Sequence, residues 1–185
     1  IANGNWVDTR LFCPDGNSAP AGQNPGPILY VGRLVKEKNL LPLATIAWVT
    51  PRWTVRLVGE GPLAEDYRRL RCQVPGPVPW ERLPDEYRAA GVFCLPSFTE
   101  GNPKALLEAM ACGAACVVSD RVEGVIRHGE TGLVFGAEDQ RSLLDALRRV
   151  LSDRELARKL GTAAREWVMA HHAVEVLMPR ELEIV

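Results

Sequence analysis

Short, continuous apolar runs, each closed by Gly, Pro or Ser and separated by helical stretches, predict a doubly wound, Rossmann-like α/β domain with a parallel sheet covered by helices on both faces. Two observations carry this expectation. The runs lack the apolar–polar alternation of a sheet with one wet face. The stretches between them are long enough for crossover helices, which parallel strands require. The 185 residues suit one domain with short tails, and 46% hydrophobic with 24% charged residues is an ordinary globular balance.

Ile28-Leu29-Tyr30-Val31-Gly32 reads as the first buried strand. Residues 40–49 have helical spacing, with Pro42 acceptable in the first turn. Thr54-Val55-Arg56-Leu57-Val58-Gly59 is the second strand, and residues 63–72 form a helix with Glu65, Asp66, Arg68 and Arg69 on its polar face. A weak strand follows over 73–77. Residues 83–90 are a short helix with Asp85 and Glu86 near its positive end. Val92-Phe93-Cys94-Leu95 is a strand stopped by Pro96, and the strongly apolar residues 105–112 predict a buried helix. Ala115-Cys116-Val117-Val118-Ser119 and Gly132-Leu133-Val134-Phe135 are further strands. Leu143, Leu144, Leu147, Val150 and Leu151 share one face of a helix over 139–151, and residues 153–169 continue helical with an interruption near Gly161. Residues 1–27 are expected as a hinge or lead-in, because 16–27 are too rich in Gly, Pro and Asn for a regular element. Residues 28–172 are the expected domain, and 173–185 a tail helix.

Several classes of function are disfavoured. Net charge is −1 and no block of like charges occurs, so no nucleic-acid partner is expected. No apolar stretch is long enough for a transmembrane helix, and the first residues lack the pattern of a signal peptide. The five cysteines are odd in number and form no C-x-x-C pair, so they read as small buried thiols of a reducing, cytoplasmic compartment, with no metal expected. His171-His172 reads as a solvated helix end and His128 as an exposed turn residue. Trp48, Trp53 and Trp80 read as packing residues; base stacking is the rival reading for Trp80.

In such a fold the ligand lies outside the carboxyl ends of the strands, so the chemistry is sought in those loops. Gly32-Arg33-Leu34-Val35-Lys36-Glu37-Lys38-Asn39 offers a rigid guanidinium at Arg33 and a point charge at Lys38, a pair suited to a diphosphate. Val58-Gly59-Glu60-Gly61-Pro62 is a tight turn, but not the G-x-G-x-x-G of a dinucleotide site, which disfavours a nicotinamide dehydrogenase. After Pro96, a polar loop leads through Glu100, Gly101, Asn102 and Pro103 into a helix whose N-terminus attracts anions. Glu108 lies in that otherwise apolar helix, where it either grips vicinal hydroxyls or pairs with a neighbouring Arg or Lys.

Glu100 and Glu108, seven residues between them, followed by Ala-Met-Ala-Cys-Gly, resemble the Glu-x₇-Glu signature of retaining GT-B glycosyltransferases, most closely family 4. Further segments match in order. Ile1-Ala2-Asn3-Gly4 with Val7-Asp8-Thr9-Arg10-Leu11-Phe12 is similar to the family hinge, and Val31-Gly32-Arg33-Leu34 with Lys38 to its phosphate loop. Val58-Gly59-Glu60-Gly61-Pro62, Leu83-Pro84-Asp85-Glu86-Tyr87 and Gly129-Glu130-Thr131-Gly132-Leu133-Val134 are similar to its later motifs. The resemblance implies the C-terminal, donor-binding half of a two-domain enzyme that moves a sugar from a UDP- or GDP-type donor to an acceptor with retention. Arg33 and Lys38 would neutralise the leaving diphosphate and, with Glu100, form the catalytic set. Gly32, Gly59, Gly101, Asn102, Pro103, Lys104 and Leu107 would line the donor site, Glu108 would hold the ribose, and residues 76–80 would run along the base. It also implies no cofactor or metal.

The acceptor, whether glycan, lipid or small molecule, would belong to an N-terminal domain of the same polypeptide. The absent initiating Met and the Asn3-Gly4 opening are then expected to mark a cut at a domain hinge, leaving the isolated chain inactive and any peripheral membrane contact to the other domain. A non-catalytic nucleotide-sugar-binding domain and a sugar-nucleotide epimerase of the same architecture are the alternatives. The chain departs from the family in having Glu-Gly-Asn-Pro for Glu-Gly-Phe-Gly. Pro103 thereby loses a backbone donor, and Lys104 falls one residue into the helix.

Overall fold

In the computed structural model, which describes residues 6–14, 26–101 and 103–177, the apolar runs become β1 (Ile28–Val31), β2 (Val55–Val58), β3 (Gln73–Gly76), β4 (Val92–Leu95), β5 (Cys116–Ser119) and β6 (Leu133–Phe135). They form one parallel sheet in the order β3-β2-β1-β4-β5-β6. Every residue of β4 and β5 is buried, so both faces of the sheet centre are covered. β3 is one of the two edges; its exposed and half-buried residues alternate, and Pro75 is tolerated there because an edge strand can do without one ladder donor. The strand order reverses between β1 and β4, and their carboxyl ends at Val31 and Leu95 define the crevice where ligands bind in such sheets.

The helices are α1 (Leu41–Val49), α2 (Ala64–Arg69), α3 (Leu83–Ala89), α4 (Lys104–Ala111), α5 (Gln140–Ser152) and α6 (Arg154–His171). Pro42 sits in the first turn of α1 and Pro84 in that of α3, where a missing N–H leaves no gap. Asp139 caps α5 by accepting from Arg141 and Ser142 N–H, and Asp153 caps α6 through Leu156 N–H, each worth about 1 kcal/mol. α3 is tied to β2 by a bidentate pair: Arg56 Nε and Nη2 lie 2.6 and 2.7 Å from the Glu86 carboxylate. α4 packs between α3 and α6. Its Leu106, Leu107, Ala109, Met110 and Ala111 are buried, so the apolar run is a core helix.

The expected interruption of the last helix is corrected: α6 runs unbroken through Gly161. The glycine serves packing instead. A Cβ there would lie 2.1 Å from the Gly113 carbonyl oxygen, so the absence of a side chain lets α6 approach the turn after α4. Two short 3-10 turns, Lys36–Lys38 and Trp80–Arg82, were not expected.

The described part of the expected lead-in lies against the domain. Val7 and Phe12 are buried, Val7 N–H donates to His172 O at 2.8 Å, and Val174 N–H donates to Val7 O at 3.1 Å. Arg88 Nε donates to Cys13 O and Arg165 to Phe12 O, fastening the segment to α3 and α6. Residues 1–5 and 15–25 of the lead-in and 178–185 of the tail lie outside the described residues. Trp53 is buried as expected of a packing residue. Trp48 is exposed, with the Arg71 guanidinium 4.8 Å over its ring. His171 stacks on Trp167 at the end of α6, and the exposed His128 accepts from Val134 N–H.

Candidate functional site

The β1 and β2 loops are pressed together backbone to backbone. Leu34 N–H donates to Glu60 O at 2.8 Å, and a Cβ on Gly59 would lie 2.0 Å from Gly32 O. Gly59 has φ +136°, a conformation that glycine adopts without strain. Its N–H donates to Gly76 O and that of Gly32 to Val58 O, both at 2.9 Å. Neither N–H is available to a phosphate. The missing side chain at Gly59 is what allows this close contact with Gly32.

Past this contact the chain turns through Lys36–Lys38. Phe98 N–H donates to Glu37 O at 3.1 Å, joining the β1 loop to the β4 loop across the switch point. There Lys38 Nζ lies 2.7 Å from Glu100 Oε2, with the two side chains 17% and 11% exposed. Arg33 is exposed and, among the described residues, forms no ion pair; its carbonyl accepts from Tyr30 Oη at 3.1 Å. Burial, and then the neighbouring Glu100 carboxylate, push the Tyr30 hydroxyl far above its usual range, so it stays neutral. Ser97, fully buried after β4, accepts a 2.6 Å bond from Ser119 Oγ at its carbonyl, while its own hydroxyl has no partner among the described residues.

α4 begins after Pro103 with no side chain capping it, so its first N–H groups and positive dipole end face the β4 loop. Gly101 and Lys104 are exposed and Pro103 is buried, while Asn102 lies outside the described residues. Lys104 Nζ sits 5.1 Å over the Trp6 ring. Leu107 is 0% exposed and packs in the core.

Glu108 is 4% exposed. Tyr87 Oη donates to its Oε2 at 2.9 Å and Trp80 Nε1 to its Oε1 at 3.4 Å. Burial pushes the carboxyl up from its ordinary value; the two hydrogen bonds and the Lys104 charge oppose that rise. The expected alternative, an ion pair with a neighbouring Arg or Lys, is thus replaced by two neutral aromatic donors. They satisfy the carboxylate without cancelling its charge.

These groups form two stations, one on the β1 and β4 loops and one on α4 with its neighbours α3 and the Trp80 turn. One holds Arg33, Lys38 and Glu100. The other holds Glu108 with Tyr87 and Trp80. The first offers cations to an anion, the second a negative acceptor to hydroxyls. Among the described residues no three His, Cys, Asp or Glu gather as a metal site, and no helix is long and apolar enough to cross a membrane. A recess of about 290 Å³ lined by Asp8, Arg10, Val174 and Glu175 includes no residue of either station.

The family model described as glycosyl transferases group 1 matches residues 17–167. The chain belongs to the glycosyl transferases group 1 family. A sulfoquinovosyl transferase of Arabidopsis thaliana is 32% identical over 149 residues, 75% of this chain and 29% of that protein. A GDP-mannose-dependent α-(1-6)-phosphatidylinositol monomannoside mannosyltransferase of Mycobacterium tuberculosis is 30% identical over 192 residues, 89% of this chain and 50% of that protein. The chain thus spans half or less of the length of these relatives. Among solved structures, the C-terminal domain of a glycosyl transferase group 1 family protein from Francisella tularensis superposes with a TM-score of 0.75 at 24% identity, over 91% of this chain and 99% of that one. That likeness shows the fold, one half of the GT-B architecture.

Within this glycosyl transferases group 1 chain, Tyr87 and Trp80 are the site residues that residue-by-residue reading missed as partners of Glu108. The available signal was the cost of a buried acid, which calls for donors nearby. Which donors answer it depends on how α3 packs on α4.

Proposed function

We propose that the chain is the donor-binding domain of a retaining glycosyltransferase and takes a UDP- or GDP-type sugar at the β1/β4 switch point. One observation carries the reading: Lys38, which shares the β1 loop with the exposed Arg33, pairs with Glu100 on the loop that leads into the uncapped start of the helix carrying the buried Glu108. Cations with a helix N-terminus suit a diphosphate, and a held carboxylate suits ribose hydroxyls. The Mycobacterium relative carries a GDP-sugar dependence in its name, and the Francisella structure is a C-terminal domain of matching extent. Both support the assignment of this chain to the donor half.

In this reading, Arg33, Lys38 and the α4 dipole stabilise the negative charge that develops on the leaving diphosphate, from fixed positions that need no reorganisation. Glu108 orients the nucleotide through the ribose. Glu100 accepts a hydroxyl of the donor sugar and pairs with Lys38. The leaving phosphate takes the acceptor's proton on the face from which it departs, which gives retention. Cationic side chains and the helix dipole supply the charge that a metal would otherwise provide, and the acceptor is bound by a separate N-terminal domain.

Calorimetric titration of the chain with UDP-sugars and GDP-sugars, combined with a turnover assay, tests this reading. Saturable binding of one base class with little transfer supports a donor domain. Vigorous transfer by the chain alone, or binding of neither class, contradicts it.

A further inference from the structure

Glu108 presents a difficulty for any ribose: the residue is only 4% exposed, and both carboxylate oxygens already accept a hydrogen bond. A hydroxyl can reach it only if one of its covering groups moves. The two covering donors differ sharply. Tyr87 is 1% exposed, is held within α3, and meets the rings of Phe93 and Phe12 at 5.8 and 6.0 Å. Its bond to Oε2, at 2.9 Å, has the length of a good hydrogen bond.

Trp80 is 39% exposed and opens a three-residue 3-10 turn with no side-chain cap. It touches Phe12 edge-on at 5.4 Å, and its bond to Oε1, at 3.4 Å, is beyond the usual N–H···O range. The loop that carries it leaves β3 at Gly76, so it stands at the carboxyl end of the sheet with the other site loops. Tyr87 is therefore the fixed partner and Trp80 the displaceable one.

We propose that Trp80 gates the ribose site: its indole N–H holds the place of a ribose hydroxyl on Glu108 Oε1, and nucleotide binding displaces it. This rests on the reading of Glu108 as the ribose acceptor. No bond is made or broken beyond one hydrogen bond exchanged for another. Trp80 therefore sets affinity against the ribose hydroxyls in particular, and a ligand without them gains nothing from opening the gate. A residue that merely packed beside the site would affect both kinds of ligand alike.

The test titrates the wild-type chain and Trp80→Phe with UDP and GDP and with their 2′,3′-dideoxy forms. Phenylalanine keeps an aromatic ring and deletes the N–H. The expected result is a Kd for the bound ribonucleotide lowered about two- to threefold in W80F, the effect of a hydrogen bond at the weak end of the usual range, with the dideoxy form unchanged. In wild type, the ribonucleotide should alter tryptophan emission and the dideoxy form should not, a readout that needs no variant to fold. Equal effects of W80F on both ligands, or the same emission change with both, overturns the gate while leaving the donor site intact. Failure of every nucleotide to bind wild type overturns the ribose reading and the gate together.

Discussion

Lys38 and Glu100 form a partly buried ion pair, 2.7 Å between Nζ and Oε2. The cation expected at the diphosphate and the carboxylate expected at the donor sugar are thus one unit, built across the β1/β4 switch point. Lys38→Met strands the carboxylate. We expect about 2 kcal/mol of lost stability, less than a fully buried pair would show because both side chains keep some exposure. Glu100→Ala leaves the more easily solvated Lys, should spare nucleotide diphosphate binding, and should abolish transfer in the longer protein. Urea unfolding and calorimetry on the two variants check the asymmetry.

The Glu108 carboxyl is shifted up from 4.5 by burial, so the folded chain binds a proton more tightly there than the unfolded chain does. Stability from this group is therefore greatest at low pH and falls as pH rises from about 4.5 through the raised value, above which the loss is constant. Glu108→Gln removes the titration. The difference in Tm between E108Q and wild type should move in favour of the variant as pH rises over that window and then level off. A difference independent of pH would show that the carboxyl is not shifted.

Tyr87→Phe deletes the 2.9 Å donor to Glu108 Oε2 without opening a cavity. A buried hydrogen bond to a charged acceptor is worth about 1.5–3 kcal/mol. For a chain of this size that is a fall in Tm of about 4–9 °C. Calorimetric unfolding measures it, and nucleotide affinity should drop as well, because Glu108 loses its fixed support.

Gly161→Ala is a test of sign. In an ordinary helix interior the change would stabilise by about 1 kcal/mol. Here the new methyl meets the Gly113 carbonyl at 2.1 Å, and overpacking of this kind costs about 1–3 kcal/mol. We expect net destabilisation by denaturant unfolding.

These contrasts show which features were legible in the sequence. The strands were, because each buried run ends in a residue that breaks it, as Val31-Gly32 and Leu95-Pro96 do. The loops carrying Arg33, Lys38 and Glu100 followed from the strand ends. Side-chain direction did not follow. Leu107 and Glu108 are neighbours in one apolar helix, yet one packs wholly in the core and the other meets donors 21 and 28 residues earlier in the chain. Those contacts arise from the packing of α3 and the Trp80 turn against α4, which periodicity cannot reveal. Gly161 misled for the same reason. Its backbone freedom reads locally as a break, whereas its value lies in a contact with Gly113 far along the chain.

The central claim is that one nucleotide diphosphate-sugar spans both stations. Calorimetry on wild type, Arg33→Gln and Glu108→Gln with the preferred donor tests it most directly. Each variant is expected to lose about tenfold or more in affinity, equal to one charge-assisted hydrogen bond at its own station. Donor affinity left unchanged by both substitutions would contradict the account.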